Sequence, residues 1–110
     1  MMDSTALDRE KRLLAALARP RADACVTEDA LLVNDRGVRR WRDAPPAEVL
    51  DPQIDGLDTL AVTEQIILVA YRLLAADGTA EYCSTVWQRG PSGWVATLHH
   101  RSPGAGDDTR

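Results

Sequence analysis

The clearest pattern in the chain is a succession of three apolar, β-rich runs between residues 66 and 103. The first two runs, IILVAYRLLAA and TAEYCSTVWQ, flank the dipeptide Asp77-Gly78, which favours a two-residue type I′ hairpin turn. A second turn, with two glycines and a proline, lies within residues 89–93, places Arg89 opposite Trp94 and leads into the third run. The pattern therefore predicts a meander of three antiparallel strands.

The two turns also predict a register for the meander. Because side chains alternate between the two faces of a strand, one face should collect a polar row of Tyr71, Ser84 and His99, with Tyr82 on the same side. A slip of one residue in the second turn would exchange the roles of His99 and His100. This row is the first candidate for site chemistry.

The opposite face of the predicted meander carries Leu68, Trp87 and Trp94. Both faces are largely apolar, whereas many antiparallel sheets keep one polar face in water. Helices are expected to cover one face, and in so short a chain a second subunit is the expected cover of the other. We therefore predict a homodimer with these three residues in its interface.

Helical spacing is found near the N-terminus. Residues 5–8 form a capping box that starts a helix. Leu7, Leu14 and Leu17 recur on one face of it, and Pro20 ends it. The following stretch, RADACVTED, fits either a second short helix or an irregular link.

The middle of the chain predicts short elements. ALLVND and VRRW fit two strands joined by a turn, residues 45–50 fit a short helix that begins with proline, and LDTLAVTEQ fits a further strand. A helix, then short elements, then a long meander predicts an α+β fold with helices on one face of a curved antiparallel sheet.

Length and composition narrow the class of protein. The 110 residues fit a single domain over 1–103, with a small, polar tail at 104–110 that we expect to be disordered. The net charge of −4 argues against a nucleic-acid partner. Without an apolar signal core or a run of membrane-spanning length, we expect a cytoplasmic protein with no membrane partner. Cys25 and Cys83 are then expected to be reduced thiols.

A basic cluster contrasts with the acidic balance of the chain. It consists of Arg36, Arg39, Arg40 and Arg42. The cluster fits either a solvated strand edge, which is the more common case, or a clamp for phosphate or carboxylate.

The run AYRLLAADGTAEYCSTVWQRGPSGWVATLHHRSP resembles the C-terminal signature of the nuclear transport factor 2-like superfamily. It is most similar to the branch of SnoaL-like polyketide cyclases and ketosteroid isomerase, and the association domain of calcium/calmodulin-dependent kinase II ends in a similar pattern. The matching positions are Tyr71, Ser84, Val86-Trp87, Gly93-Trp94, His99 and Ser102-Pro103. The resemblance implies a cystatin-like cone, in which N-terminal helices pack on a curved antiparallel sheet around a cavity, and dimerisation through the sheet.

The resemblance does not extend to ketosteroid isomerase chemistry. That chemistry needs a Tyr on the first helix, a carboxylate base and a second carboxyl group that donates a hydrogen bond. The predicted first helix has no Tyr, and no matching carboxylate pair can be placed. Steroid isomerisation is therefore not supported.

Two roles remain open for the polar row. His99 and Tyr71 are candidates for catalysis, His99 as general acid or base and Tyr71 as a donor to a carbonyl oxygen. Ser84, Trp41 and Tyr82 would then line a ligand-binding cavity with them. Alternatively, Tyr71, Ser84 and His99 are a buried trio that satisfies its own hydrogen bonds and fixes the register.

No metal or cofactor is predicted. Neighbouring residues of a strand point to opposite faces, so His99 and His100 cannot share one metal ion on a regular strand. The sequence also has no glycine-rich phosphate loop and no dinucleotide fingerprint.

The sequence leaves two functions open. The first is a small-molecule-binding cone, extending to a cofactor-free enzyme of isomerase, cyclase or dehydratase type that uses acid/base chemistry on a small apolar or carbonyl-containing molecule. The second is a non-catalytic homodimerisation or association module with a filled cavity. An open cavity at His99 or Tyr71 would favour the first, and a filled one the second.

Overall fold

The computed structural model describes residues 4–17, 25–45, 53–75, 78–91 and 93–104. The elements in chain order are α1 (Ser4–Ala16), β1 (Val26–Asn34), β2 (Gly37–Arg40), a short 3-10 helix (Trp41–Asp43), β3 (Gln53–Ala61), β4 (Ile66–Leu74), β5 (Ala80–Gly90) and β6 (Gly93–Pro103). The strands form one sheet in the order β2-β1-β6-β5-β4-β3. Within the described residues, no helix is long and apolar enough to cross a membrane.

The sheet is mixed, which corrects the prediction of an antiparallel sheet. β1 pairs with β6 in parallel, and the other neighbouring strands pair antiparallel. The parallel pair arises because the last strand of the meander returns beside the first strand of the chain. The meander itself is antiparallel, as predicted.

Helix α1 covers one face of this sheet, which we call the inner face; the opposite face is the outer face. The buried side of the helix repeats at intervals of three and four residues, as expected for an amphipathic helix. It comprises Ala6, Glu10, Leu13, Leu14 and Leu17, all of which are at most 2% exposed. The prediction of an N-terminal helix on one face of a sheet is confirmed for α1.

Some predicted features lie outside the described residues. These are the helix stop at Pro20, residues 21–24 of the following link, residues 46–50 of the short helix predicted over 45–50, and residues 105–110 of the tail predicted over 104–110. Residues 26–29 belong to β1, so the second short helix considered for that stretch is wrong there.

The register between β4 and β5 differs from the prediction by one residue. Tyr71 faces Cys83, where the predicted turn placed Ser84. The strands end at Leu74 and resume at Ala80, so the connection is longer than a two-residue hairpin. The amide of Ala75 donates to the carbonyl of Thr79 at 2.9 Å, inside this longer turn. The change in turn length moves every β5 side chain to the other face.

A β-bulge changes the register between β5 and β6. Near the turn, Arg89 faces Trp94 as predicted. The pairing then shifts between Val86 and Trp87, so that Thr85 faces His99. The bulge inserts one extra residue into one strand, which a constant register read from the turn does not anticipate.

The inner face of the meander is therefore different from the predicted one. It carries Val69, Tyr71 and Leu73 from β4, Cys83, Thr85 and Trp87 from β5, and Ala96 and His99 from β6, all of them buried. Together with α1, these residues form the core. Four of them, Tyr71, Thr85, Trp87 and His99, bring nitrogen or oxygen atoms that need hydrogen-bond partners away from water.

Candidate functional site

A buried carboxylate is the centre of the interior. Glu10 projects from α1 towards the inner face and is 0% exposed. Its Oε1 accepts a hydrogen bond from the Thr85 hydroxyl at 2.9 Å, and its Oε2 accepts one from Nε1 of Trp87 at 2.6 Å. The Thr85 hydroxyl also lies 2.7 Å from Nδ1 of His99. We call these four residues the Glu10 network.

Burial perturbs the two titratable members of the network in opposite senses. Loss of water raises the pKa of Glu10 above its ordinary value, although the hydrogen bonds from Trp87 and Thr85, the nearby Tyr71 hydroxyl and the charge of Arg9 act against the increase. The pKa of His99 is lowered to about 3, mainly by burial and also by the charges of Arg101 and His100. His99 is therefore a neutral imidazole at ordinary pH.

The two nitrogens of the His99 ring differ in their hydrogen bonding. Its Nε2 is buried and has no hydrogen-bond partner among the described residues, and the same is true of Nε1 of Trp41. The two rings pack edge to face, with centroids 6.2 Å apart. A nitrogen of a neutral imidazole and an indole donor therefore lie in the same part of the core, both without a partner among the described residues.

Tyr71 and Cys83 lie opposite each other across β4 and β5 on the inner face. The Tyr71 hydroxyl is buried, and no described residue lies in good hydrogen-bonding geometry to it. Its pKa is raised by burial and by the nearby Glu10 carboxylate, and burial raises the pKa of Cys83 to about 12. Both groups therefore stay protonated at neutral pH.

A pocket of about 290 Å³ opens where β1, β2 and the end of β6 meet. Its lining residues are Leu17, Leu32, Asn34, Asp35, Arg36, Arg39, Ala44, Pro45, Glu81 and Arg101. Arg101 forms an ion pair with Glu81 through NH2, while its Nε is buried without a partner in the described part of the chain. The basic cluster seen in the sequence thus divides, because Arg36 and Arg39 line the pocket whereas Arg40 donates to the carbonyl of Asp29 at 2.8 Å.

The pocket is adjacent to the Glu10 network. Leu32 of the pocket wall pairs with His99 across β1 and β6. Arg101 follows His99 by two residues on β6, and its charge acts on the His99 ring. His99 itself is only 1% exposed, so it lies behind the pocket wall and does not line the pocket.

The structure brings together three of the five predicted ligand-binding residues. Tyr71, His99 and Trp41 all lie in the core, at 4%, 1% and 2% exposure. Ser84 and Tyr82 do not join them. Ser84 pairs with Ala70 and His100, and Tyr82 is 54% exposed. The polar row is therefore corrected, because the register shift replaces Ser84 by Thr85.

The three residues predicted to lie in a dimer interface occupy different environments. Trp87 is 1% exposed and hydrogen-bonds to Glu10, so α1 covers it and its predicted place on a dimer surface is corrected. Trp94 is half-buried, with the guanidinium carbons of Arg9 and Arg89 at 5.4 and 4.9 Å from its ring centroid. Leu68 lies on the outer face, as predicted for it.

Sequence reasoning missed Glu10 and Thr85. The signal for Glu10 was present, because this residue lies four positions after Ala6 and three before Leu13, within the apolar stripe of α1. A carboxylate inside such a stripe needs partners in the core. Thr85 could not be found by the same means, since its face depends on the bulge.

Comparison with solved structures identifies the fold. The chain aligns with a nuclear transport factor 2-like protein from Cytophaga hutchinsonii, with TM-score 0.74 and 13% identity over 94% of this chain and 100% of the other. It also aligns with a nuclear transport factor 2-like protein of unknown function in nutrient uptake from Rhodospirillum rubrum, with TM-score 0.70 and 21% identity over 93% and 99%. The chain has the nuclear transport factor 2-like fold.

Other structural neighbours of this fold agree with the resemblance seen in the sequence. The chain aligns with the calcium/calmodulin-dependent kinase II hub homology domain of Chlamydomonas reinhardtii, with TM-score 0.68 and 17% identity over 93% of this chain and 99% of the other. Proteins described as having a cystatin-like fold align as well, which confirms the predicted fold class. No protein-family model and no curated protein matches the chain.

Proposed function

We propose that the chain is a small-molecule-binding protein whose ligand is a small organic anion, held in the pocket beside Arg36, Arg39 and Arg101. The observation that carries the proposal is this pocket, in which three guanidinium groups and an apolar wall share a volume of about 290 Å³. Such a mixture of apolar surface and a few charged groups is typical of ligand sites.

The charges of the pocket favour an anion. Three arginines line it against two carboxylates, those of Asp35 and Glu81, and Glu81 is already paired with Arg101. The buried Nε of Arg101 still lacks an acceptor within the described residues. A buried donor without an acceptor is costly, and a carboxylate is the group that guanidinium donors fit best.

The remaining lining favours a ligand with a small apolar body. Leu17, Leu32, Ala44 and Pro45 form the apolar wall. The volume is at the lower end of the range for ligand pockets, roughly 300–1,000 Å³. A carboxylate with a short alkyl or aromatic group matches both the charge and the size.

Binding, not catalysis, is the function that the geometry supports best. His99 and Tyr71, the two residues predicted to be catalytic, are buried, and neither lines the pocket. A general acid or base has to reach the proton that it transfers. An acid/base role for these two residues remains a prediction of the sequence, which would require the wall at Leu32 to move.

The proposal is tested by isothermal titration calorimetry with benzoate and pentanoate, and with benzamide and pentanamide as neutral analogues of the same shape. We expect at least one of the acids to bind and its amide to bind at least about tenfold more weakly, because the guanidinium groups recognise charge. Inorganic phosphate, titrated in parallel, distinguishes recognition of any anion from recognition of an organic carboxylate.

Two variants of equal charge change locate the site. Arg39→Gln removes a guanidinium from the pocket, whereas Arg72→Gln removes one from the outer face, where Arg72 pairs with Asp55. We expect only Arg39→Gln to weaken binding of the acid. Equal affinities of acid and amide, equal affinities of the two variants, or no binding of either acid would contradict the proposal.

A second function, homodimerisation through the outer face, is favoured by one specific observation. Cross-strand partners on this face form a continuous apolar row across five strands, namely Leu60, Leu68, Val86, Leu98 and Leu31. Leu60 is 60% exposed and Val62 near it is 55% exposed. An apolar surface of this kind on a sheet is typical of an interaction site.

Sedimentation velocity tests this second function. We expect the wild-type chain to sediment as a dimer and Leu60→Glu to sediment as a monomer, because a carboxylate would be buried unpaired in the interface. Ala15→Glu, on the exposed side of α1, is the matched control and should remain dimeric. A wild-type monomer, or a Leu60→Glu dimer, excludes this row as the interface.

A further inference from the structure

We propose that Glu10 acts through Thr85 to decide which ring nitrogen of His99 carries hydrogen, and thereby whether the buried Nε2 accepts or donates a hydrogen bond. Glu10 and Thr85 would then be positioning residues for the part of the core behind the pocket. The inference goes beyond the proposed function, because His99 lies behind the pocket wall and the tautomer decides which polar group or water its Nε2 can meet there.

The argument begins with the single hydrogen of a hydroxyl group. The Thr85 oxygen lies 2.9 Å from Oε1 of Glu10 and 2.7 Å from Nδ1 of His99, so both neighbours are within hydrogen-bond distance. A hydroxyl group can donate only one hydrogen bond, although it can also accept. If Thr85 donates to one neighbour, the other must donate to Thr85.

An ionised Glu10 selects one of these two arrangements. A carboxylate only accepts hydrogen bonds, so Thr85 donates to Oε1, and His99 must carry its hydrogen on Nδ1 to donate to Thr85. The second oxygen of the carboxylate is fixed independently by Nε1 of Trp87, at 2.6 Å. Since neutral imidazole carries one N–H, Nε2 is then a bare acceptor.

A protonated Glu10 selects the reverse arrangement. With Oε2 still accepting from Trp87, the new O–H lies on Oε1 and donates to Thr85. Thr85 then donates to Nδ1, and His99 carries its hydrogen on Nε2. The protons balance: one enters at Nε2, one moves from Nδ1 to the Thr85 oxygen, and one moves from Thr85 to Oε1. His99 stays neutral throughout.

The surroundings make the two states accessible. Glu10 is faced by Arg9 of its own helix, by the Tyr71 hydroxyl from β4 and by the Thr85 and Trp87 donors from β5, while the charges of Arg101 and His100 act on His99. Burial raises the pKa of Glu10 above 4.5 and lowers that of His99 to about 3. Glu10 therefore gains its proton in a pH range where His99 is still neutral.

The change of His99 tautomer would alter which hydrogen bonds can form at the two unpaired nitrogens in this part of the core. Nε2 of His99 and Nε1 of Trp41 both lack partners among the described residues. With Glu10 ionised, they are an acceptor and a donor, which suits a group such as a hydroxyl or a water that donates to one and accepts from the other. With Glu10 protonated, both are donors, which suits a carbonyl or carboxylate oxygen.

The test is nuclear magnetic resonance of the ligand-free protein, labelled with ¹⁵N in histidine and ¹³C in glutamate. Long-range ¹H–¹⁵N correlations show which nitrogen of His99 carries hydrogen, and the Glu10 carboxyl shift reports its ionisation. We expect hydrogen on Nδ1 above the Glu10 midpoint and on Nε2 below it, with the same midpoint for both signals. A tautomer that is unchanged through the Glu10 titration overturns the proposal.

Variants make the test independent of acid stability. Glu10→Gln can accept from Trp87 only if its amide N–H₂ faces Thr85, so at neutral pH we expect His99 to carry hydrogen on Nε2. Asp8→Asn, an exposed carboxyl on the same helix, should leave the wild-type tautomer. A Glu10→Gln protein with the wild-type tautomer of ionised Glu10 also overturns the proposal.

A second pair of variants serves if Glu10→Gln does not fold. Thr85→Val removes the hydroxyl, and the His99 tautomer should then no longer follow the ionisation of Glu10. Thr85→Ser keeps the hydroxyl and should retain the coupling. Coupling that survives in Thr85→Val excludes Thr85 as the connection. Because no ligand is added, the outcome does not depend on whether the pocket binds an anion.

Discussion

The inner and outer faces of the sheet differ in polarity and in what covers them. On the inner face, Glu10 of α1 supplies acceptors to Thr85 and Trp87, so polar groups are buried with partners. On the outer face, Leu68 and its neighbours are apolar, and no described helix covers them. The side that a helix covers can hold polar chemistry, whereas the uncovered apolar side is the surface on which we propose that a second copy docks.

The largest expected effect comes from removing the centre of the inner face. Glu10→Ala leaves Nε1 of Trp87 and the hydroxyl of Thr85 without their acceptor and creates a small cavity. We expect a loss of about 3 kcal/mol in the free energy of unfolding, measured by urea denaturation. Lys11→Ala, exposed on the same helix, should change it by less than about 0.5 kcal/mol. Similar losses in both variants would show that the network contributes little.

The next effect compares the buried histidine of the inner face, His99, with a residue of the outer face that does not titrate in this pH range. The pKa of His99 falls from 6.5 to about 3 on folding, so the stability due to its neutral form is present above pH 6.5 and is lost as the pH falls towards 3. Between pH 7 and pH 5 this loss amounts to about 2 kcal/mol. Glu10 acts in the opposite sense, since its raised pKa favours the folded state at low pH.

The contribution of His99 is therefore measured as a difference. The free energy of unfolding of the wild type minus that of His99→Gln should decrease by about 2 kcal/mol when the pH is lowered from 7 to 5. The same difference for Ser84→Ala, on the outer face, should not change with pH, because neither a hydroxyl nor a methyl group titrates in this range. If the His99→Gln difference is constant with pH, His99 is not held neutral by the core.

Local sequence patterns predicted the helix and strands better than they predicted the residues of the candidate site. The helical spacing of Leu14 and Leu17 and the β-rich runs of the meander were sufficient to predict a helix on one face of a sheet. The turn at residues 89–93 also predicted the pairing of Arg89 with Trp94. These features depend on neighbours in the sequence, and a periodic pattern records them.

The site depends instead on one-residue details that periodicity does not record. The longer turn before Ala80 and the bulge at Val86 together place Thr85 opposite His99 and send Ser84 to the outer face. The parallel pairing of β1 with β6 joins strands far apart in the chain, and it brings Leu32 beside His99. The pocket beside Arg101 follows from that pairing, so its position could not be predicted from local patterns.

The smallest expected change in the free energy of unfolding comes from substitutions at consecutive residues of β5. Because one residue lies on each face, these substitutions compare the two faces most directly. Thr85→Val and Val86→Thr exchange one hydroxyl for one methyl group in opposite directions, and both residues are β-branched, so the strand propensity hardly changes. Thr85→Val leaves Oε1 of Glu10 and Nδ1 of His99 without their shared partner. We expect it to lower the free energy of unfolding by about 1–2 kcal/mol.

Val86→Thr adds a hydroxyl to a half-buried position on the outer face, where water can reach it in a monomer. In urea denaturation at a protein concentration low enough to keep the chain monomeric, its cost should be below about 0.5 kcal/mol. A larger cost that grows with protein concentration would mean that a second copy buries Val86, since only the dimer then loses stability. A cost that is large at every concentration would mean that the outer face is packed within one chain, and the contrast between the two faces would no longer hold.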